Sequence, residues 1–218
     1  MAGPLGGLAA SDVMTIINNA IATAKTTRSV LRLPIGSSAH LTIAVADLDG
    51  TIIGLYRMTD GTVFSTDVAA SKARNVVYFR GAMRTAADLT GVPVGTAVTN
   101  RTIGFGAQPL FPPGIDGGSP GPFFNIYQQD VKIPCTQGFQ PPGPNQSGVV
   151  FFPGSVPLYR NGTLVGELGV SGDGVDQDDY MASGGSVGFE VPTAIRADQV
   201  IVQSVRLPYL KFPEDPTN

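Results

Sequence analysis

The sequence predicts an α+β fold in which helices pack on one mostly antiparallel sheet. Three observations lead there. Two apolar, β-prone runs meet at Asp49-Gly50, and two more meet at Asn161-Gly162, so the chain carries two hairpins. Apolar residues recur at helical spacing before and after the first hairpin, and an acidic helix start follows the second. Paired strands with helices between them make a sandwich of helices on an antiparallel sheet.

Ser11 is placed as the N-cap of the first helix, with Asp12 in its first turn. Val13, Ile16, Ile17, Ala20, Ile21 and Ala24 then give one apolar face up to Thr27, and Pro34 and Gly36 keep the helix from continuing. In "HLTIAVADLDGTIIGLYRM", Leu41, Ile43 and Val45 share one face, and Thr42, Ala44 and Ala46 the other. Small residues on that second face predict a strand covered on both sides. Ser65 or Thr66 caps the second helix, with Asp67 in its first turn. Val68, Ala69, Lys72, Ala73, Val76 and Phe79 lie along or beside one side of it.

From Gly91 to Gly154 the character changes, because 11 of the 18 prolines and 12 of the 28 glycines fall there. "PLFPPGIDGGSPGPFFNIYQ" is read as irregular. Phe105, Phe111, Phe123, Phe124, Ile126 and Tyr127 are too apolar for disorder, so a long ordered loop is expected, over the core or across a subunit interface. The second hairpin lies in "SVPLYRNGTLVGELGVSG"; the aspartates from Asp173 onward open a helix that Gly184 and Gly185 end. One more strand is expected over residues 200–205, before a proline-punctuated tail.

Composition excludes several functions. A net charge of -3 without a basic stripe argues against nucleic-acid binding. His40 and Cys135 are each the only one of their kind, which rules out an internal disulfide and a zinc site of several His and Cys ligands in one subunit. A Ser-His-Asp triad would have to use His40, and no nucleophile elbow lies near it. No uninterrupted apolar run reaches the roughly 18 residues of a membrane span. The start, "MAGPLGGLAAS", lacks the basic region of a signal peptide, so residues 1–10 are read as a linker or the remnant of a longer protein. Only 14% of residues are charged, so much of the surface is expected to be loop or to be buried against other subunits.

Two blocks carry a resemblance. "IAVADLDGTIIGLYRMTDGTVFSTDVAASKARNVVYF" and, after a variable stretch, "GSVPLYRNGTLVGELGVSGDGVDQDDYMASGG" resemble the GlcG/HbpS-like family, also called the haem-degrading domain family. The matching positions are Asp47, Gly50, Arg57, Met58, Ser65, Lys72, Ala73, Pro157, Gly166, Gly169, Val170, Ser171, Gly172, Gln177 and Asp178. The resemblance implies a three-layer α/β/α sandwich with a five-stranded antiparallel sheet, and assembly into dimers or larger rings. It implies a domain over 11–190 with a long insertion at 91–154, and a C-terminal extension at 191–218. It also implies haem or a related tetrapyrrole as cofactor, with haem degradation or redox sensing in some members. The family is mainly bacterial, which implies a cytoplasmic protein, or an exported one if this chain is part of a longer precursor. Two departures concern chemistry: the first helix has no His, and no Glu-x-x-Glu pair is present to hold iron.

Under that resemblance the ligand-binding set is Arg57, Lys72, Ser65, Gly169, Ser171, Gly172, Gln177 and Asp178. If the second helix packs back over the hairpin, Arg57 and Lys72 converge on a carboxylate, either a haem propionate or an organic acid; the competing reading pairs them with Asp47, Asp67 or Asp178. The Gly169–Gly172 turn reads first as a strand-to-helix corner capped by Asp173 and second as a ligand site. His40, Tyr56 and Met58 are candidate haem ligands, with Tyr78, Tyr180 and Met181 behind them; each also reads as ordinary surface or core. The aspartates of the last helix lack the spacing and closing Glu of a calcium loop. Three functions are open to such a chain. The first is an oligomeric haem- or tetrapyrrole-binding domain. The second is an enzyme on a small organic acid, with Asp178 or Asp47 as base. The third is a module for oligomerisation or for docking on an upstream domain of the same polypeptide.

Overall fold

The computed structural model describes residues 1–81 and 83–211. Helix α1 (Ala10–Thr26) leads to the hairpin β1 (Leu41–Ala46) and β2 (Ile52–Arg57), then to α2 (Ser65–Arg80). Two short helices come next, α3 (Asn100–Gly106) and α4 (Phe124–Lys132). The second hairpin is β3 (Ser155–Arg160) and β4 (Thr163–Gly172), and α5 (Val175–Gly185) closes the series. A small ribbon, β5 (Ile201–Val202) with β6 (Val205–Arg206), ends the described chain.

The hairpins join along β1 and β4, giving the order β2-β1-β4-β3 with every neighbour antiparallel. The expected fifth strand does not join this sheet among the described residues. Gln203 and Ser204 both take positive φ, 50° and 63°, and fold residues 201–206 back on themselves as a separate ribbon.

Alternation along β1 produces the three layers. All six of its residues are buried. Leu41, Ile43 and Val45 join Val13, Ile16, Ile17 and Ala20 of α1 and Met181 and Ala182 of α5 in the main core. Ala44 and Ala46 face the other way and cluster with Ala69 and Ala73 of α2. That second interface is close: a Cβ added to Gly169 would lie 2.1 Å from the Ala69 carbonyl oxygen. The glycines and alanines of β1 and β4 let the α2 backbone lie almost on the sheet.

The start of the chain differs from its reading as a linker. Leu8 is 1% exposed, and the amides of Leu5 and Gly6 donate to the Asp47 carboxylate at 2.9 and 2.7 Å. With that segment packed, α1 begins one residue before Ser11. Its N-cap is Ala9, whose N–H is held by the Asp12 carboxylate at 2.7 Å.

The insertion at 91–154 was expected to lack regular structure, but it holds α3 and α4. Both lie where prolines are absent: α3 after a Thr99 cap that accepts the Thr102 amide, and α4 directly after Pro122 and Phe123. Ile103, Phe123 and Ile126 are fully buried in the main core. The insertion is fastened to α2 by Asn75, a buried amide. Asn75 Nδ2 donates to Gln137 Oε1 and to the Gly148 carbonyl, both at 2.7 Å, and its Oδ1 accepts the Val150 amide at 2.7 Å. Residues 191–211 run along the insertion, joined through Ala97 and Ile195 and through the Thr99 hydroxyl to the Tyr209 carbonyl. The rest of the expected C-terminal extension, 212–218, lies outside the described residues.

Candidate functional site

Three segments meet at one edge of the sheet: the loop after α1, the last residue before β1, and the turn after β2. Between them is an open cleft of 880 Å³ lined by Leu31, Arg32, Leu33, His40, Arg57, Thr62 and Val63. Its apolar lining is unusually bare. Leu33 is 85% exposed and Val63 is 76% exposed, and the next residues outward, Ile35 and Phe64, are 84% and 63% exposed. Exposed apolar side chains gathered in this way mark a surface that takes a ligand or another chain.

The polar groups of the cleft are held from behind. Asp173, at the start of the corner into α5, is fully buried. Its carboxylate accepts the His40 amide at 2.9 Å and ion-pairs with Arg32, and Arg32 also reaches Asp60 at 2.6 Å. The hydrogen bond that Arg32 donates to the Asp173 carboxylate is the main force raising the Arg32 pKa. Asp173 was expected to cap α5; instead it ties the corner to the loop, and Gly174 takes the N-cap place.

His40 Nδ1 lies 2.7 Å from the Thr59 carbonyl oxygen. A carbonyl only accepts, so Nδ1 carries the proton, and in the neutral ring Nε2 keeps its lone pair. This is how metal-binding imidazoles are commonly prepared, with the far nitrogen donating to a carbonyl. Arg57 turns its guanidinium to the Gly61 carbonyl, Nε at 2.8 Å, and makes no ion pair among the described residues. The cleft therefore offers one histidine with a defined tautomer, an arginine without an ion pair among the described residues, and three apolar side chains, Leu31, Leu33 and Val63, in a lining that is otherwise mostly polar.

The expected convergence of Arg57 and Lys72 is not found. Lys72 is fully buried between α2 and β4, where Nζ donates to Asp178 Oδ2 at 2.8 Å and to the Val170 carbonyl at 2.7 Å. The Phe152 ring centroid is 5.0 Å from Nζ. Asp178 is pushed up to about 6 by burial, against the opposing pull of Lys72, and its Oδ1 has no partner among the described residues. Internal pairing, the competing reading, describes Lys72.

The remaining expected residues scatter. Gly169 and Gly172 are close-packing positions, since a Cβ on Gly172 would fall 2.4 Å from the His40 carbonyl oxygen. Ser171 is buried opposite Thr42 in the sheet, and Ser65 is buried against the Thr62 hydroxyl. The Gln177 side chain reaches the Arg28 carbonyl at 3.4 Å. Tyr56 and Met58 alternate with Arg57 along β2 and so point to the opposite face of the sheet, where Met58 joins the main core. Of the proposed iron ligands, His40 alone lines the cleft. Sequence reading missed Arg32, Leu31, Leu33 and Asp60, because "RLPIGSSAH" signals only a broken helix. Asp179, read in the sequence only as one of the aspartates of the last helix, is fully buried and ion-paired with Arg101. Asp47, a candidate base, is taken up by the amides of Leu5, Gly6 and Leu48. Among the described residues no group of three or more His, Cys, Asp or Glu is placed to hold a metal ion. None of the described helices is long and apolar enough to cross a membrane.

Comparison with known proteins adds to this picture. No curated protein matches the sequence. Among solved structures, the PduOC:heme complex is 23% identical with a TM-score of 0.54, over 85% of this chain and 97% of that one. The Klebsiella pneumoniae protein ORFY is 17% identical with a TM-score of 0.53, over 82% and 88%. A double mutant of Streptomyces reticuli HbpS is 18% identical with a TM-score of 0.46, over 83% and 85%. The first two share the fold of this chain. The family described as "Haem degrading protein HbpS-like" matches residues 8–186. With that match spanning most of its length, the chain belongs to the HbpS-like haem-degrading protein family.

Proposed function

We propose that this chain is a haem-binding protein that takes haem in the cleft between the loop after α1 and the turn after β2. His40 Nε2 would bind the haem iron, Arg57 would meet a propionate, and Leu31, Leu33 and Val63 would supply apolar contact to the ring. The observation that carries the reading is the His40 tautomer, set by the Thr59 carbonyl beside an open cleft of mixed polar and apolar lining. Family membership and the haem held by PduOC support it. A second copy of the chain covers the exposed apolar rim, in keeping with the low charge of the sequence.

The organic-acid enzyme has less support. Lys72 and Asp178 are buried against each other, and Asp47 is committed to backbone amides.

Haemin titration followed by absorbance tests the proposal. The expected result is a saturable Soret shift that His40→Ala abolishes and Arg57→Ala weakens, with Lys72→Arg leaving the spectrum unchanged. A shift of equal size in the wild type and in His40→Ala would contradict it. Adding a reductant to the loaded protein and following decay of the Soret band separates binding from degradation.

A further inference from the structure

A second cavity lies away from the His40 cleft, beneath the segment 137–146. It has a volume of 510 Å³ and is enclosed by the second half of α2, the β1–β2 turn, Leu164 at the start of β4, and residues 137–146 of the insertion. That size is within the usual range of small-molecule sites, about 300–1,000 Å³.

Its polar groups are few and point to one chemistry. Arg74 and Arg80 both line it, and neither forms an ion pair among the described residues. Each is held in place by neutral groups. Arg74 donates through Nε to the Gly50 carbonyl at 3.0 Å and through Nη1 to the Ser147 hydroxyl at 2.7 Å. Arg80 donates through Nε to the Tyr159 hydroxyl and lies 5.5 Å over that ring. Nη2 of Arg74 and both terminal nitrogens of Arg80 are left with no acceptor among the described residues. The acidic residue in the lining, Asp49, is already bonded to the Thr51 amide and hydroxyl at 2.8 and 2.9 Å. Two oriented guanidinium groups that make no ion pair among the described residues outnumber the one carboxylate of the lining, Asp49, and form a receptor for a carboxylate or phosphate.

An independent observation comes from the roof. Gln140 Oε1 and Gln146 Oε1 are buried atoms with no partner among the described residues, and both residues line this cavity. Buried acceptors left without donors are costly, and a small turn of either amide toward the cavity would let a ligand O–H or N–H satisfy it. Val77, Leu164 and Met83 supply the apolar part of the wall.

We infer that this cavity binds a small organic acid, with its anionic group between Arg74 and Arg80, its apolar body on Val77 and Leu164, and a hydroxyl or amine donor at the glutamines. The site is separate from the haem cleft and does not depend on haem.

The test uses the full chain with ¹³C-labelled Val and Leu methyl groups, following Val77 and Leu164 by NMR. The probes are 4-hydroxyphenylacetate, benzoate, 4-hydroxybenzyl alcohol and inorganic phosphate. Saturable shifts of both residues with 4-hydroxyphenylacetate are expected, with weaker binding of benzoate, which lacks the donor, and none of the neutral alcohol. Arg80→Gln should weaken binding of 4-hydroxyphenylacetate about tenfold or more, the loss expected for a charged hydrogen bond. Gln146→Leu, a change in a partly exposed loop, should remove the preference for 4-hydroxyphenylacetate over benzoate while the rest of the spectrum stays folded. The inference is overturned by the absence of shifts with either organic acid, by phosphate alone acting as strongly, or by unchanged affinity in both variants. Haemin at saturation should leave bound 4-hydroxyphenylacetate in place; displacement would overturn the separation of the two sites.

Discussion

Glu167 lies in the middle of β4 and is 0% exposed, with both carboxylate oxygens unpartnered among the described residues. It shares the sheet face of Gly169 and Ala46, beneath α2, where the neighbours are small and apolar. Burial drives its pKa well above the usual 4.5, and the positive field of Arg80 only partly opposes this. Proton counting gives the sign of the effect on stability. Above pH 4.5 the unfolded chain releases this proton while the folded chain keeps it, so stability falls as pH rises, until the folded pKa is passed. Glu167→Gln keeps the shape and cannot ionise, so it removes that slope. The gap between variant and wild type should widen by up to about 1.4 kcal/mol for each pH unit above that point. Asp178 also has a raised pKa, but it is present in both proteins and cancels in the difference. Urea unfolding of both proteins at a series of pH values reads the gap directly. Parallel curves, with one constant offset from acid to alkaline pH, would refute the reasoning.

Other substitutions test the packing. Gly169→Ala places a methyl group 2.1 Å from the Ala69 carbonyl and should cost at least the roughly 1–3 kcal/mol of an overpacked core, read as a lower urea midpoint. Lys72→Met strands a buried carboxylate, and a loss of about 3–5 kcal/mol is expected, most of it recovered when Asp178→Leu is added. Asn75→Ala removes the partners of Gln137, Gly148 and Val150, at about 1–3 kcal/mol for each group left unpaired. Limited proteolysis should then cut the insertion before the sheet unfolds.

Much of the fold was legible because its signals are local. Asn161-Gly162 adopts the two positive φ values, 51° and 78°, that its hairpin turn needs. The division of β1 into large and small faces named the two layers that cover it. The insertion was harder to read, since its helices are seven and nine residues long and are held by tertiary partners such as Asn75 rather than by periodicity. The site was harder still. Arg57 and Lys72 both stood out as cations in apolar surroundings, but whether either meets a carboxylate depends on how α2 and α5 pack. Lys72 found Asp178 across a sequence separation of 106 residues. Leu31 and Leu33 look like core residues in the sequence, and only the open loop leaves them bare.

The most direct test of the central claim is the haemin titration of the wild type beside His40→Ala. His40 is partly exposed and lies outside the core, so the variant should fold and melt as the wild type does. The account predicts a one-to-one Soret shift in the wild type and only the spectrum of free haemin in the variant. An equal, saturable shift in both proteins would contradict it.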